Sequence, residues 1–169
     1  MGRKVRKVPA DWQHPDYERY TGQEGFKPLH DGDSYQSDHD EFIAKIAAEG
    51  LQKAIDYFGQ APDENDYMPR WTPEQRTHFM MYEDTSEGTP ISPAFASPEE
   101  LAQWLADTKA SSFANQPASY EAWLRIAQGG WAPSAIMESG VLRSGVEAMS
   151  EAIPTPAHAS CLQGPGEEG

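Results

Sequence analysis

The side chains with the greatest potential for chemistry are concentrated in residues 30–41, which read HDGDSYQSDHDE. Carboxylate oxygens that converge at short range are the ligands that a hard cation such as Ca²⁺ requires. A calcium loop that starts at Asp31 needs glycine at its sixth position and glutamate at its twelfth, but these positions hold Gln36 and Phe42. The spacing therefore excludes a calcium loop of this kind.

Histidines at both ends of this segment leave a transition-metal site open. His30 and His39, together with Asp33 or Asp38, are ligand types that suit zinc or manganese. No secondary structure imposes a ligand geometry on the stretch between the two histidines, so a solvated loop is the favoured interpretation. We predict no metal and no other cofactor.

A catalytic site has one further candidate, in His78, Tyr82 and Glu83. An imidazole and a carboxylate on one face of a strand can act as an acid–base pair, but a partly buried histidine at a sheet edge is the commoner arrangement. The single cysteine, Cys161, lies in a predicted tail without a neighbouring group to activate it. The motifs Gly-x-Ser-x-Gly and Ser-x-x-Lys and the phosphate-binding glycine loops do not occur in the sequence. We predict no catalytic residue.

Three tryptophans could form a platform on which bases or sugars stack, but their sequence contexts indicate different roles. Trp104 and Trp123 lie at helical spacing with other apolar residues, which indicates core positions. Trp131 follows a glycine pair and precedes Pro133, which favours an extended backbone at Ala132. Trp131 is therefore either an outward aromatic at a partner-binding surface or a residue that closes the core, and the sequence leaves both readings open.

Composition narrows the classes of partner. The chain has 169 residues with 27 Asp and Glu against 13 Lys and Arg, a net charge of −14 and one cysteine. Such a charge repels nucleic-acid phosphates and anionic membranes and favours a partner with a basic surface. Apolar runs are too short to span a bilayer, and one cysteine cannot form an internal disulfide, so we expect a protein of the reducing cytosol.

The charge is unevenly distributed along the chain. Residues 1–10 are predicted to form a basic arm, and we expect no direct nucleic-acid binding outside its residues 3–7. Residues 11–66 carry most of the acidic excess, and we expect their solvated carboxylates to bind the partner. The predicted partner-binding residues are Asp31, Asp33, Asp38, Asp40, Glu41, Asp63, Glu64, Asp66 and, apart from this region, Trp131.

The elements that must position these side chains are mostly helices. Apolar residues at steps of three and four predict a helix over 39–58 that ends near Gly59. Ser97, followed by proline and two acids, predicts a helix over 98–108, and Ser119 begins another that ends at the glycine pair 129–130. A turn or two of helix is predicted to begin at 72–75.

Two hairpins and two irregular ends complete the prediction. Residues 78–83 should pair with an irregular piece over 91–95, and residues 131–149 should form a second hairpin. We predict an α+β fold with about three helices packed on one or two short antiparallel hairpins, an extended strap over 11–37 and a mobile C-terminal tail. The domains are a basic arm (1–10), one α+β domain (11–150) and a flexible tail (151–169).

Several short motifs resemble those of a known group of proteins. They are RKVPADWQHP (6–15), DYMP (66–69), MYE (81–83), GTPISP (88–93), EELA with WLA (99–106) and GWAPSA (130–135). Together they resemble a family of small acidic proteins encoded by tailed bacteriophages and prophages, over most of residues 3–149. The resemblance implies a phage accessory protein in the cytoplasm of a bacterial host, and it implies no reaction.

These observations favour a non-enzymatic protein that binds and inhibits a host defence or nucleic-acid-processing complex. Its carboxylates would occupy a basic groove where the host protein expects phosphate, as in anti-CRISPR or antirestriction inhibition. The alternatives are a virion or assembly accessory protein and a small nucleotide-modifying enzyme. The target and the oligomeric state stay open.

Overall fold

The structure is a computed structural model that describes residues 2–18, 24–84 and 88–151. It confirms the α+β class, and the described residues form five helices and seven strands. The strands are β1 (Gly2–Val8), β2 (Asp16–Glu18), β3 (Glu24–Phe26), β4 (His78–Asp84), β5 (Trp131–Ala132), β6 (Ala135–Glu138) and β7 (Val141–Ser144). The helices are α1 (Tyr35–Glu49), α2 (Leu51–Phe58), α3 (Pro98–Asp107), α4 (Tyr120–Gly129) and α5 (Gly145–Glu151).

The central sheet has the strand order β4-β1-β5, so the basic segment forms its middle strand. Strand β1 pairs antiparallel with β4 over all seven residues, from Gly2 opposite Asp84 to Val8 opposite His78. It also pairs antiparallel with β5, where Lys4 lies opposite Trp131. The prediction of a separate basic arm at residues 1–10 is therefore wrong, because residues 2–8 form the middle strand of the central sheet.

The two faces of this sheet contact two different apolar clusters, because successive side chains of a strand point to opposite faces. One face carries Val5 and Met81 and packs on α3, α4 and α5. The other face carries Val8 and Tyr82 and packs on Leu29 and the loop residues around it. The sheet is thus the layer that both clusters share.

Helices α3 and α4 confirm the predictions made from their caps. The Ser97 hydroxyl accepts a hydrogen bond from the Glu100 amide, and Pro98 occupies the first turn of α3. The Ser119 hydroxyl caps α4 in the same way, and Gly130, with a φ of +97°, caps the C-terminal end of α4. Trp123 is completely buried, as predicted, whereas Trp104 is partly buried at the edge of the same cluster.

The helix predicted over 39–58 is instead two helices, and the first begins four residues earlier, at Tyr35. Gly50 separates α1 from α2 with a φ of +92°, a backbone conformation that favours glycine. The Gly50 amide still donates to the Ile46 carbonyl and so closes α1. The C-terminal limit is confirmed, because α2 ends at Phe58 and Gly59 caps it.

The predicted helix at 72–75 is only a turn, because the chain enters β4 almost at once. The Thr72 carbonyl accepts from the amides of Gln75 and Arg76, and the Gln75 side chain accepts from the Thr72 amide. These hydrogen bonds satisfy the N–H and C=O groups of the local backbone without a further helical turn.

Both predicted hairpins are present in part. Phe79 and Phe95 exchange two backbone hydrogen bonds of 2.8 and 2.9 Å, but Pro90 and Pro93 interrupt the ladder, so this second piece is irregular as expected. In the other hairpin β6 pairs with β7 across Ser139-Gly140, two residues with positive φ. The ends of 131–149 differ from the prediction, since β5 joins β1 and α5 begins at Gly145.

The strap over 11–37 contains the short β2–β3 pair and the start of α1, so it is less extended than predicted. Trp12 anchors it by packing edge-on against Trp71, with ring centroids 4.8 Å apart. The tail predicted over 151–169 lies outside the described residues from position 152 onward, and so does Cys161.

A buried hydrogen-bond network ties this strap to β4. His14 Nε2 donates to the Lys27 carbonyl at 2.6 Å, and His14 Nδ1 accepts from the Tyr82 hydroxyl at 3.2 Å. Trp12 Nε1 donates to the same hydroxyl at 3.2 Å. Burial lowers the pKa of His14 below its usual 6.5 and raises the pKa of Tyr82 to about 12, so both groups are neutral at neutral pH.

We expect the free energy of unfolding to fall as the pH falls below about 6.5. The unfolded chain binds a proton at His14 at a higher pH than the folded chain does, so the stabilisation is present above the unfolded pKa and is lost as pH decreases. The variant His14→Asn should show a shallower dependence between about pH 7.5 and 5.5 in urea titrations. The control His39→Asn changes a more exposed ring, and an equal loss of slope in both variants would contradict the assignment to His14.

Two tryptophans provide a matched test of the core. Trp123→Ala should reduce the free energy of unfolding by about 3–5 kcal/mol, because Trp123 is fully buried and its loss leaves a cavity. Trp131→Ala should cost less than about 1 kcal/mol, because 49% of Trp131 is exposed. Thermal and urea unfolding of both variants measure this difference, and equal losses would show that Trp131 belongs to the core.

Candidate functional site

The two acidic segments predicted from the sequence meet at one groove, which we call the acidic groove. It lies between α1, the end of α2 and the loop that follows, and it encloses about 580 Å³. Among the described residues, four carboxylates and no lysine or arginine line it. The lining residues are His30, Asp38, Glu41, Phe58, Gly59, Gln60, Ala61, Pro62, Asp63, Asp66 and Tyr67.

Backbone pairing brings the two segments together. The His30 amide donates to the Asp66 carbonyl at 2.9 Å, and the Met68 amide donates to the His30 carbonyl at 3.0 Å. On the helical side, buried Phe42 of α1 packs edge-on against Phe58 of α2, with centroids 5.8 Å apart. The groove is therefore held by a β-bridge at one wall and by an aromatic pair at the other.

Two of the four carboxylates have defined partners that fix their positions. The Tyr67 hydroxyl donates to Asp38 at 2.9 Å, and Lys27 lies 3.1 Å from Asp66. Burial and the bond to Asp38 raise the pKa of Tyr67 to about 12, so the hydroxyl keeps the proton that it donates. Asp38 is therefore held as an acceptor without being neutralised by a cation.

The other two carboxylates are more available to an incoming cation. Hydrogen bonds from the backbone and side chain of Asn65 lower the pKa of Asp63, which keeps this exposed carboxylate ionised. Glu41 is exposed on α1, and no described residue forms an ion pair with it. The groove thus presents negative charge from a helix and from a loop at the same time.

Asp31 and Asp33 lie at a different place from the groove and are already paired. Lys4 lies 2.7 Å from Asp31, and Arg76 lies 3.2 Å from Asp33. Partial burial opposes the ionisation of Asp31, but the hydrogen bond and charge of Lys4 outweigh it and hold the pKa of Asp31 below its usual value. Asp31 is therefore less solvated than expected, whereas Asp33 is exposed as well as paired.

The remaining predicted acids, Asp40 and Glu64, are exposed beside the groove. Asp40 accepts from the Gln36 side chain at 2.8 Å on α1. Glu64 lies in a 3-10 turn that Asp63 caps. These two residues add to the negative field without lining the groove.

Trp131 lies on the edge strand β5, away from the residues that line the groove. Because Trp131 pairs with Lys4, both side chains lie on the same face of the sheet. The indole packs across Gly2, where an added β-carbon would lie 2.9 Å from Nε1. About half of its surface is exposed, which fits an outward aromatic better than a residue that closes the core.

The candidate acid–base pair does not come together. His78 and Glu83 are five residues apart on β4, so their side chains lie on opposite faces of the sheet. Glu83 instead pairs with buried Arg3 at 3.0 Å, while Tyr82 belongs to the buried network with His14. The described residues contain no group of three or more His, Cys, Asp or Glu side chains that could hold a metal ion.

Two residues of the site were missed from the sequence. Tyr67 orients Asp38, and Phe58 forms part of the groove wall, but the sequence reading assigned neither of them a role at the site. The available signal for Tyr67 was its position directly after the acidic segment 63–66, which places it next to the predicted partner-binding acids. Only the structure shows that Tyr67 forms a bridge with His30 and donates its hydroxyl hydrogen bond to Asp38.

No protein-family model, curated protein or solved structure matches this chain. In the ranges that the structure describes, no helix is long and apolar enough to cross a membrane. What the site does must therefore be inferred from its own residues.

Two isosteric substitutions distinguish a paired carboxylate from a solvated one. Asp31→Asn should lower the free energy of unfolding by about 1 kcal/mol, because it removes the charge that Lys4 binds and leaves the turn geometry possible. Asp40→Asn should change it by less than about 0.5 kcal/mol. Urea unfolding at low salt measures both, and equal effects would show that the Lys4–Asp31 pair is energetically neutral.

Proposed function

We propose that this protein is a non-enzymatic binding protein whose acidic groove receives basic side chains of a partner protein. The observation that carries the proposal is the convergence of four carboxylates, from α1 and from residues 63–66, on a groove whose described lining contains no lysine or arginine. A groove of this kind attracts lysine or arginine and repels phosphate. The net charge of −14 adds long-range attraction for a basic surface.

The geometry favours arginine or lysine on a protruding segment. The opening of about 580 Å³ is large enough for side chains of this length, and Tyr67 and Phe58 offer aromatic surface for their aliphatic stems. Planar guanidinium groups form two parallel hydrogen bonds with a carboxylate, which gives a defined orientation. The partner is therefore expected to insert cationic side chains rather than to offer a flat surface.

A basic surface of this type is common on complexes that hold nucleic acids. We propose that the partner is a host defence or nucleic-acid-processing complex of the anti-CRISPR or antirestriction kind, and that the protein acts in a bacterial cytoplasm as a phage accessory. The support is the acidic surface together with the phage-family resemblance of the sequence. Trp131 is proposed as a second contact, because it is a half-exposed aromatic on a sheet edge.

A role in virion assembly is the second candidate, and a separate observation favours it. The β6–β7 hairpin exposes three large apolar side chains, those of Met137, Val141 and Leu142. Exposed apolar surface is a common feature of assembly interfaces. The enzyme alternative has no such support, since His78 and Glu83 lie on opposite faces of β4.

The decisive experiment removes charge from the groove alone. The triple variant Asp38→Asn, Glu41→Gln and Asp63→Asn keeps side-chain size and should weaken binding of an arginine-rich peptide by about tenfold or more, with a flatter salt dependence. Isothermal titration calorimetry at two salt concentrations measures both quantities.

A matched control removes the same number of charges elsewhere. Glu99→Gln, Asp107→Asn and Glu121→Gln lie on α3 and α4, so this variant should keep most of the peptide affinity. The groove assignment fails if both triple variants lose affinity equally or if neither does. Affinity purification from infected cells with mass spectrometry then separates the candidates, because nuclease or CRISPR subunits support the first and capsid or tail proteins support the second.

A further inference from the structure

Arg6 is a buried cation without a carboxylate partner. It lies in the middle of β1 with 8% of its surface exposed, and no described residue forms an ion pair with it. Its Nη1 donates to the Leu29 carbonyl at 3.1 Å and contacts the Met68 sulfur at 2.8 Å. Its guanidinium carbon lies 4.5 Å from the centroid of the Tyr82 ring. Buried charges are normally paired, so this arrangement is unusual.

The remaining donors of Arg6 are not used within the described part of the chain. A guanidinium has five N–H groups, and those of Nη1 meet the two acceptors just named. Nε is fully buried without a hydrogen-bond partner, and Nη2 makes no hydrogen bond to a described residue. Burial lowers the pKa of Arg6, and the charges of Asp31 and Asp84 only partly oppose this effect. No described carboxylate forms an ion pair with the guanidinium, although Asp31 lines a cavity together with Arg6.

A cavity of about 240 Å³ lies against this side chain, and the carboxylates of Asp31 and Asp33 are part of its described lining. Three other cations line it: Lys4 pairs with Asp31 at 2.7 Å, Arg76 pairs with Asp33 at 3.2 Å, and exposed Lys7 lies over the Phe79 ring. Arg6 is the buried one of the two lining cations that form no ion pair with a described carboxylate. Trp71 also lines the cavity and provides an aromatic wall.

We propose that this cavity binds a small oxyanion, a carboxylate or a phosphoryl group, on the free donors of Arg6. Lys4, Lys7 and Arg76 line the same cavity and supply further positive charge. Lys4 and Arg76 are each about one-third exposed, so each can share its donors between an aspartate and the ligand. Trp71 contacts the body of the molecule that carries the anion. The site is separate from the acidic groove, whose lining includes none of these cations.

The test uses the full chain with sodium phosphate and, in a second arm, sodium acetate, each at constant ionic strength. Either anion should raise the melting temperature saturably, and titration calorimetry should give a matching dissociation constant. A response to phosphate alone assigns the site to phosphoryl groups, and a response to acetate alone assigns it to carboxylates. No saturable response to either anion overturns the proposal.

Arg6→Met removes the cation while keeping an unbranched apolar chain. This variant should fold, because an unpaired buried ion replaced by an apolar residue is often tolerated, and it should bind the anion about tenfold more weakly or not at all. The control Lys53→Gln removes one positive charge from the exposed face of α2 and should bind as the parent does. An undiminished response in Arg6→Met overturns the proposal.

A second measurement keeps the test decisive if Arg6→Met does not fold. In the unmodified protein the Nε–H resonance of Arg6 should shift saturably during the phosphate or acetate titration, and its failure to shift overturns the proposal. Binding of the arginine-rich peptide should be the same with and without the anion. The oxyanion site and the acidic groove can therefore fail independently of each other.

Discussion

The antiparallel pairing of β1 with β4 is the interaction on which the rest of the structure depends. It places alternate residues of one strand in two apolar clusters, with Val5 in contact with the first and Val8 in the second. Because β1 is the middle strand, it also carries β5 and so connects the C-terminal helices to the sheet. Loss of this pairing would separate both clusters from their common layer.

Because β1 is the middle strand of the sheet, its basic side chains must be accommodated within the fold. Arg3 is buried on one face and satisfies its donors with the Ser111 carbonyl and Glu83. Arg6 is buried on the other face, where its contacts among the described residues are a carbonyl, a sulfur and an aromatic ring. The two arginines are similarly buried in one strand, but their charges are compensated differently. Arg3 pairs with a carboxylate, whereas Arg6 has no described carboxylate partner and keeps donors for the proposed ligand.

The distribution of the acids follows from the same architecture. Asp31 and Asp33 are paired with Lys4 and Arg76, whereas Asp38, Glu41 and Asp63 face a groove that no described lysine or arginine lines. The excess of negative charge in the sequence is therefore divided into a part that stabilises the fold and a part that faces solvent. Only the second part is suited to a partner.

Elements with local signals could be predicted from the sequence. Helices α3 and α4 begin at a serine cap and end near the predicted residues, because capping depends on neighbours within one turn. The break at Gly50 could not be predicted, since the sequence does not reveal the φ of a glycine inside a helical pattern. The role of β1 and the bridge between His30 and Tyr67 could not be predicted, because both depend on residues far apart in the chain.

The position of β1 has a consequence for folding in the cell. During synthesis its residues exist long before Tyr82 and Trp131, the partners of Lys4, so both edges of this strand stay unpaired until late in translation. An unpaired strand is a template for aggregation, and closely spaced positive charges are a recognised protection against it. Arg3, Lys4, Arg6 and Lys7 would repel a second nascent copy of the same strand. The basic residues of β1 thus act as gatekeepers during the interval before the sheet closes.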